Sequence, residues 1–162
     1  MNLKPLDNLI AFYRNLHRSM LDAADAAIMA SADNITDLNR QQLTQGVDEK
    51  GQPITYQKRR QSELNSTGAY TEKYSKYKNK YGRQTSVVDL KLTGEYVNSL
   101  RLDRVSVGVY RIYAEQNEDL QHILEDNYTN KIHGLTDQNL QQVSSNLVPR
   151  IDSEIQRLID RI

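Results

Sequence analysis

Few side chains in this sequence are placed where they could do chemistry together. The three histidines, His17, His122 and His133, lie far apart, and none has a second histidine four residues away, as a helical metal site would need. No serine stands in a Gly-x-Ser-x-Gly segment, the signature of a nucleophile on a strand-to-helix turn. The acidic pairs Glu118-Asp119 and Glu125-Asp126 are sequence neighbours, and adjacent helical side chains do not converge on one site. We therefore expect a protein that is not an enzyme and that binds no metal and no cofactor.

The most distinctive chemical pattern is a basic, tyrosine-rich segment between residues 56 and 83. It holds eight basic residues, among them Lys58, Arg59 and Arg60, and two acidic ones. Four of its tyrosines recur at spacings of four, three and four, which places their rings on one face of a helix. The candidate interface or DNA-facing side chains are Tyr70, Tyr74, Tyr77, Tyr81, Lys73, Lys76, Lys78 and Lys80.

Three interpretations of this segment remain open. Basic residues interleaved with tyrosines can bind phosphates and stack on bases, or the basic patch can dock an acidic protein surface. Alternatively, the tyrosines form a core-facing stripe and the lysines are its solvated side. An acidic patch exists in the same chain: Glu115, Glu118, Asp119, Glu125 and Asp126. A basic and an acidic patch on one subunit favour head-to-tail contacts between copies, which close into rings.

Composition narrows the class of protein. The chain of 162 residues has no cysteine, which excludes disulfides and thiolate chemistry, and its formal net charge is zero. No apolar run approaches the ~18 residues of a membrane span, and the N-terminus does not resemble a secretory signal. We expect a protein that needs no membrane and acts without export.

Hydrophobic periodicity predicts an α+β fold, with long N- and C-terminal helices packed around a small antiparallel hairpin in a single domain, 1–162. Its four parts are an N-terminal helix, a helical and loop region with the basic tyrosine helix, a short helix followed by the hairpin, and C-terminal helices. Their ranges are 1–33, 34–87, 88–115 and 116–162.

Local signals predict where several elements begin and end. Asn34 or Thr36 is expected to cap a second helix that Gly46 ends, and Thr93 is expected to cap a short helix over 95–100. Alternation predicts strands over 100–107 and 108–114.

The last helix is expected to begin after Thr136 or Asp137, and Pro149 is expected to kink or interrupt it unless it opens a new first turn. The apolar stripe of the first helix, from Leu6 to Ile28, fits either a core helix or a protruding helix that packs on a neighbouring subunit.

Several segments, taken in order, resemble small neck proteins of tailed phages, of the head–tail connector and tail-completion type. They are Leu38-Asn39-Arg40-Gln41-Gln42-Leu43 with Gly46, Asp48 to Gly51, Tyr70 to Gly82, Asp89 to Leu100, Tyr113-Ala114 and Ile132-His133-Gly134-Leu135-Thr136. Within that class, the segments look similar to neck proteins of phages of Bacteroides-type hosts, including crAss-like phages. The resemblance covers residues 36–162 and leaves the first helix outside.

The resemblance implies an α+β subunit without catalysis. Six or twelve copies would form a ring around the DNA channel, in contact with the portal protein and with tail or other neck proteins. The protein would be found in the virion neck, and in the host cytoplasm during assembly. The alternative from the basic segment is a phage nucleic-acid-binding accessory protein; an enzyme acting on nucleic acid or cell wall is the third possibility considered.

Overall fold

The fold is α+β, as predicted, with long helices at both ends and a two-stranded antiparallel sheet between them. The computed structural model describes residues 4–57, 61–115, 118–128 and 131–160, so Lys58, Arg59 and Arg60 of the basic segment lie outside the described residues, as does the side chain of Glu118. The elements in chain order are α1 (Lys4–Met29), α2 (Ala32–Thr44), a 3₁₀ turn (Gln61–Glu63), α3 (Glu72–Lys80), α4 (Glu95–Asn98), β1 (Leu100–Ser106), β2 (Val109–Ala114), α5 (Glu118–Asn127) and α6 (Asp137–Ile159).

The predicted hairpin is present. Its strands pair from Leu100 opposite Ala114 to Ser106 opposite Val109, with one irregularity between Arg104 and Ser106. Gly108 lies in the connecting turn with φ of 71°, a conformation that glycine adopts without steric cost. The hairpin thus follows α4 directly, as the sequence predicts.

The helix ends agree with the sequence in part. Thr136 caps α6, since its hydroxyl accepts a hydrogen bond from the Asn139 amide at 3.3 Å. The predicted caps of α2 are wrong: that helix begins at Ala32 after Ser31. Thr36 lies inside it, with its hydroxyl donating to the Ala32 carbonyl at 3.0 Å. The predicted interruption of the last helix at Pro149 is not found, because α6 runs as one helix through that residue.

The core lies around α2, α4 and the hairpin rather than around the long helices. Its most buried side chains are Leu43, Val88, Leu100 and Ile132. Among the described side chains of α1, Asp25 alone is buried, and in α6 Leu147 alone is. The long helices therefore add little to the interior and present much of their apolar surface outwards.

α1 and α6 pack against each other in opposite directions. One groove is lined by Ala30 and Ser31, which directly follow α1, with Val143 and Leu147 of α6. A second groove is lined by Ala23, Ala26 and Ala27 of α1 with Pro149, Ser153 and Arg157 of α6. Residue numbers fall along α1 as they rise along α6, so the pair is antiparallel.

Candidate assembly interface

The tyrosines of the basic segment form a continuous ladder from the core to the surface. Thr71 caps α3 by accepting a hydrogen bond from the Tyr74 amide at 3.3 Å. Successive ring centroids of Tyr70, Tyr74, Tyr77 and Tyr81 are 5.3, 6.2 and 5.1 Å apart. The four rings form one continuous row, although Tyr70 precedes α3 and Tyr81 follows it. Tyr70 is 2% exposed, whereas Tyr77 and Tyr81 are 43% and 57% exposed. Only the outer end of the ladder is open to a partner.

The lysines of α3 divide in the same way. Lys73, Lys76 and Lys80 are exposed, in agreement with a contact role. Lys78 is fully buried, so it cannot face DNA or a neighbouring subunit in this fold. The inclusion of Lys78 and Tyr70 among the surface candidates is therefore wrong, because both side chains are used inside the protein.

Lys78 instead forms the centre of a buried polar cluster. Its ammonium lies 2.5 Å from Asp89 Oδ1 and donates to the Lys91 carbonyl at 2.9 Å and to the Tyr70 hydroxyl at 3.2 Å. The same Asp89 oxygen accepts the Tyr70 hydroxyl at 2.8 Å and the Lys91 amide at 3.1 Å. The ammonium also lies 4.6 Å from the centre of the Tyr70 ring, within cation–π range.

Electrostatics in this cluster follow from burial and pairing. Burial alone would raise the pKa of Asp89, but hydrogen bonds from Lys78 and from the Lys91 amide hold it below its usual value. Burial, and then the charge of Asp89, raise the pKa of Tyr70 far above its usual value. The cluster is an ion pair that ties α3 to the segment before α4.

The sequence carried one signal of this cluster. Asp89 is a charged residue in the apolar run Val87-Val88-Asp89-Leu90, and a carboxylate there needs a buried partner. Nothing in the local pattern identified Lys78 as that partner. Leu90 has φ of 50°, a conformation that costs a non-glycine residue roughly 1 kcal/mol. The backbone amide of the next residue, Lys91, donates to the Asp89 carboxylate.

A second buried network joins α2 to the loop before α6. The Asn39 amide donates to the carbonyls of Ile132 at 3.1 Å and Gly134 at 2.8 Å. Gln42 donates to the Gly134 carbonyl at 3.0 Å and accepts from the Thr136 amide at 3.0 Å. These bonds satisfy backbone groups that would otherwise be buried without partners.

A third set of bonds joins α2 to the hairpin and α4 to the same loop. Arg40 donates to the carbonyls of Val97 at 3.0 Å and Leu100 at 2.8 Å. The Tyr96 hydroxyl lies 2.7 Å from His133 Nε2, and His133 Nδ1 lies 3.2 Å from Glu125. Burial lowers the pKa of His133, and Glu125 opposes that shift in part.

The acidic residues do not form one open patch. Glu115 pairs with Arg101 at 3.1 Å, and Glu125 contacts His133. Asp119 and Asp126, both on α5, are therefore the acidic candidates, among those whose side chains the structure describes, that are exposed.

An open groove that was not predicted lies between α2 and the start of α6. It has a volume of about 730 Å³, and amide side chains dominate its lining: Asn34, Gln41, Gln45, Gln138, Asn139 and Gln142. We call it the amide groove. Amide side chains offer both donors and acceptors, and Asp37, Lys50 and Asp137 add charges of both signs to the lining, which fits a polar contact with another protein surface.

Across the described residues, no cluster of His, Asp and Glu is placed to hold a metal ion, and no helix is long and apolar enough to cross a membrane. No family model, no curated protein and no solved structure matches this chain.

Proposed function

We propose that this chain is a structural subunit of a tailed-phage neck, a head–tail connector that forms a ring of six or twelve copies around the DNA channel. It would join the portal to the tail or to other neck proteins. In this proposal the protein has no catalytic role and no cofactor, and it acts in the virion after assembling in the host cytoplasm.

One observation carries the proposal. The segments through which the sequence resembles neck proteins are bonded to one another in the fold. Asn39 and Gln42 of the first segment hold the Ile132–Thr136 segment, and Lys78 of the tyrosine segment holds Asp89. A set of motifs that forms one scaffold supports a resemblance at the level of the whole fold.

The surface fits a subunit of an assembly. Large apolar side chains at least 37% exposed occur on both long helices and on the hairpin: Leu6, Leu9, Ile10, Tyr13, Leu21, Met29, Leu140, Val148, Ile159, Val105, Val107 and Val109. Exposed apolar side chains that recur along one helix face, as Leu6, Leu9 and Tyr13 do on α1, are typical of a surface that a partner covers. In the ring, the exposed lysines of α3 would meet Asp119 of the next copy, and Tyr77 and Tyr81 would fill the centre of that contact.

Native mass spectrometry of the purified protein, alone and mixed with portal and tail proteins of the same phage, tests the proposal. We expect a closed oligomer of six or twelve copies, alone or on the portal. A chain that stays monomeric at high concentration and binds none of these proteins contradicts it.

A nucleic-acid-binding accessory protein is the second candidate, and one observation favours it. Tyr77 and Tyr81 are exposed beside Lys73, Lys76 and Lys80 on one short helix. Such a surface can stack bases and bind phosphates. Fluorescence anisotropy with single- and double-stranded DNA at several salt concentrations tests it. Binding that weakens steeply with salt, and less steeply after Lys73→Ala with Lys76→Ala, supports this function; an absence of salt-sensitive binding excludes it.

A further inference from the structure

The first half of α1 carries an apolar stripe that extends beyond α6. Seven residues alternate at spacings of three and four, the heptad pattern of a helix-pairing seam. They are Leu6, Leu9, Tyr13, Leu16, Met20, Ala23 and Ala27. The far end of this seam already faces α6, since Ala23 and Ala27 line the groove between the two helices.

The length of the uncovered part follows from the antiparallel packing. Ala27 lies level with about residue 150, and the described part of α6 reaches Ile159, nine residues further on. At 1.5 Å per residue along each helix, α6 therefore ends beside about residue 18 of α1. Residues 4–18 of α1, which we call the overhang, are about 20 Å long.

The overhang is apolar at each core position of its pairing face. Leu6, Leu9 and Tyr13 are 53%, 50% and 60% exposed. The flanking positions, which often carry charges in coiled coils, are held by Pro5, Ile10, Phe12 and His17, of which His17 alone can carry a charge. The charged residues of the overhang lie on other faces of the helix by their spacing: Lys4, Asp7, Arg14 and Arg18.

We propose that a second copy of this chain covers the overhang, in an antiparallel two-fold pair of α1 helices. Because α6 runs antiparallel to α1, a partner helix in the same orientation continues the seam where α6 stops. With the two-fold axis at residue 11, residue 4 of one copy lies level with residue 18 of the other, beside the described end of that copy's α6. Residues 4–18 of the two copies then cover each other without overlapping the described part of either α6.

The register of this pair matches apolar layers throughout. Leu6 meets Leu16 of the second copy, and Leu9 meets Tyr13. Each layer joins the two heptad core positions that antiparallel helices bring together. The same surface serves both copies, as a two-fold contact requires.

This inference does not rest on the proposed ring. Subunits of one neck ring all point the same way, so a two-fold pair describes the protein before assembly. Ring formation would have to open it and free α1 for a neighbouring protein. The ring contacts proposed above lie on α3 and α5, so the two contacts can be broken separately.

Sedimentation velocity at about 1 to 100 µM tests the pair with matched variants. We expect a dimer for the wild-type chain and a shift of at least tenfold towards monomer for Leu9→Glu. Leu140→Glu is the control, because Leu140 on α6 is 49% exposed, almost the same as Leu9. A wild-type monomer at 100 µM, an unchanged dimer in Leu9→Glu, or equal dissociation of Leu140→Glu overturns the proposal.

Cysteine cross-linking tests the orientation, since the natural chain has no cysteine. In the antiparallel pair, Ile10 lies one residue from the axis, so Ile10→Cys should form a disulfide dimer under mild oxidation. The two copies of residue 6 lie about 15 Å apart along the axis, beyond disulfide reach. Efficient cross-linking of Leu6→Cys would indicate a parallel pair and overturn the antiparallel arrangement.

An assembly that Lys73→Glu dissolves and Leu9→Glu leaves intact, with no cross-link at residue 10, would support the ring and overturn the pair. A dimer that Leu9→Glu separates into monomers, in a chain that never binds portal or tail proteins, would support the pair and overturn the ring. Circular dichroism of each variant at low temperature confirms that the fold around α2 and the hairpin persists.

Discussion

At the scale of single residues, the protein uses charged side chains to hold segments together inside the fold. Lys78 and Asp89 form an ion pair that is almost inaccessible to water, with Tyr70 bonded to both. Removing both charges from water is costly, and their attraction offsets this cost only while the pair is complete. The consequence is a strong dependence of each charge on the other.

A double-mutant cycle measures that dependence. We expect Lys78→Met and Asp89→Asn each to lower the free energy of unfolding by about 3–5 kcal/mol, since each leaves a buried polar partner unmatched. The double variant should lose clearly less than the sum of the two. Urea unfolding followed by circular dichroism provides the values; additive losses would mean that the two side chains do not depend on each other.

His133 provides a pH dependence that the sequence did not suggest. Its pKa in the folded protein lies below the ordinary 6.5 because it is buried. As the pH falls through about 6.5, the unfolded chain takes up a proton before the folded one does, so stability decreases. The loss is at most about 1.4 kcal/mol per pH unit for one group.

The test compares unfolding free energies between pH 8 and pH 5.5. We expect His133→Gln to show a flatter pH profile than the wild-type chain. The control is His17→Gln, because His17 is exposed on α1, an element that holds neither His133 nor Glu125. An identical slope in the His133 variant would show that this residue does not couple folding to pH.

At the scale of elements, glycines and one proline show where the backbone is constrained. Gly46 ends the turn after α2 with φ of 76°, and an added Cβ would lie 2.8 Å from Val87 Cβ. Gly51 has nearly the same φ, 73°, but no atom within 4 Å of such a Cβ. The two positions separate backbone strain from a steric clash.

Alanine at each glycine gives a matched pair. Gly51→Ala should cost about 1–2 kcal/mol, the price of a left-handed conformation for a residue with a Cβ. Gly46→Ala should cost more, because Val87 and the Val88 carbonyl must also move. Thermal or urea unfolding measures both. Equal losses would indicate that the segment at Val87 and Val88 yields without cost.

Pro149 lies within α6, where it cannot donate the backbone hydrogen bond that the helix would otherwise make. Pro149→Ala restores that donor and places a strong helix former at this position. We expect a rise in unfolding free energy of up to about 3 kcal/mol, measured by urea unfolding, with Val148→Ala as the neighbouring control. A destabilised Pro149→Ala variant would show that the proline ring contributes packing against α1 that outweighs the missing bond.

At the scale of the whole molecule, polar surfaces and apolar helices are kept apart. The core around α2 and the hairpin is closed by buried polar networks, whereas the overhang, the amide groove and the outer end of the tyrosine ladder are open. A subunit whose interior is complete and whose long helices are uncovered is suited to assembly with other chains.

Charge exchange tests the head-to-tail contact of the proposed ring. Lys73→Glu should weaken ring formation on the portal, because it places like charges opposite Asp119 of the next copy. Adding Asp119→Lys in the same chain should restore part of the assembly. The distribution of oligomers in native mass spectra decides this; a double variant no better than Lys73→Glu would mean that these two residues do not meet.

Much of the architecture was predictable because it depends on local chemistry. Periodicity identified the long helices and the hairpin. Thr136 precedes the first residue of α6, and Gly82, with a positive φ, follows the end of α3, as their conformational preferences predict. The start of α2 was missed, since Asn34 and Thr36 are good caps but the helix begins earlier, after Ser31. Several suitable caps close together cannot be ranked without the packing around them.

The sequence by itself determined the long terminal helices, the hairpin and the apolar stripe of α1, because side-chain spacing along each element settles these. Tertiary structure decided which side chains of a regular pattern are buried in the protein interior. Lys78 and Lys76 look alike in sequence, yet one is buried against Asp89 and the other is exposed. Burial depends on contacts between residues distant in the chain, and local spacing carries no information about those.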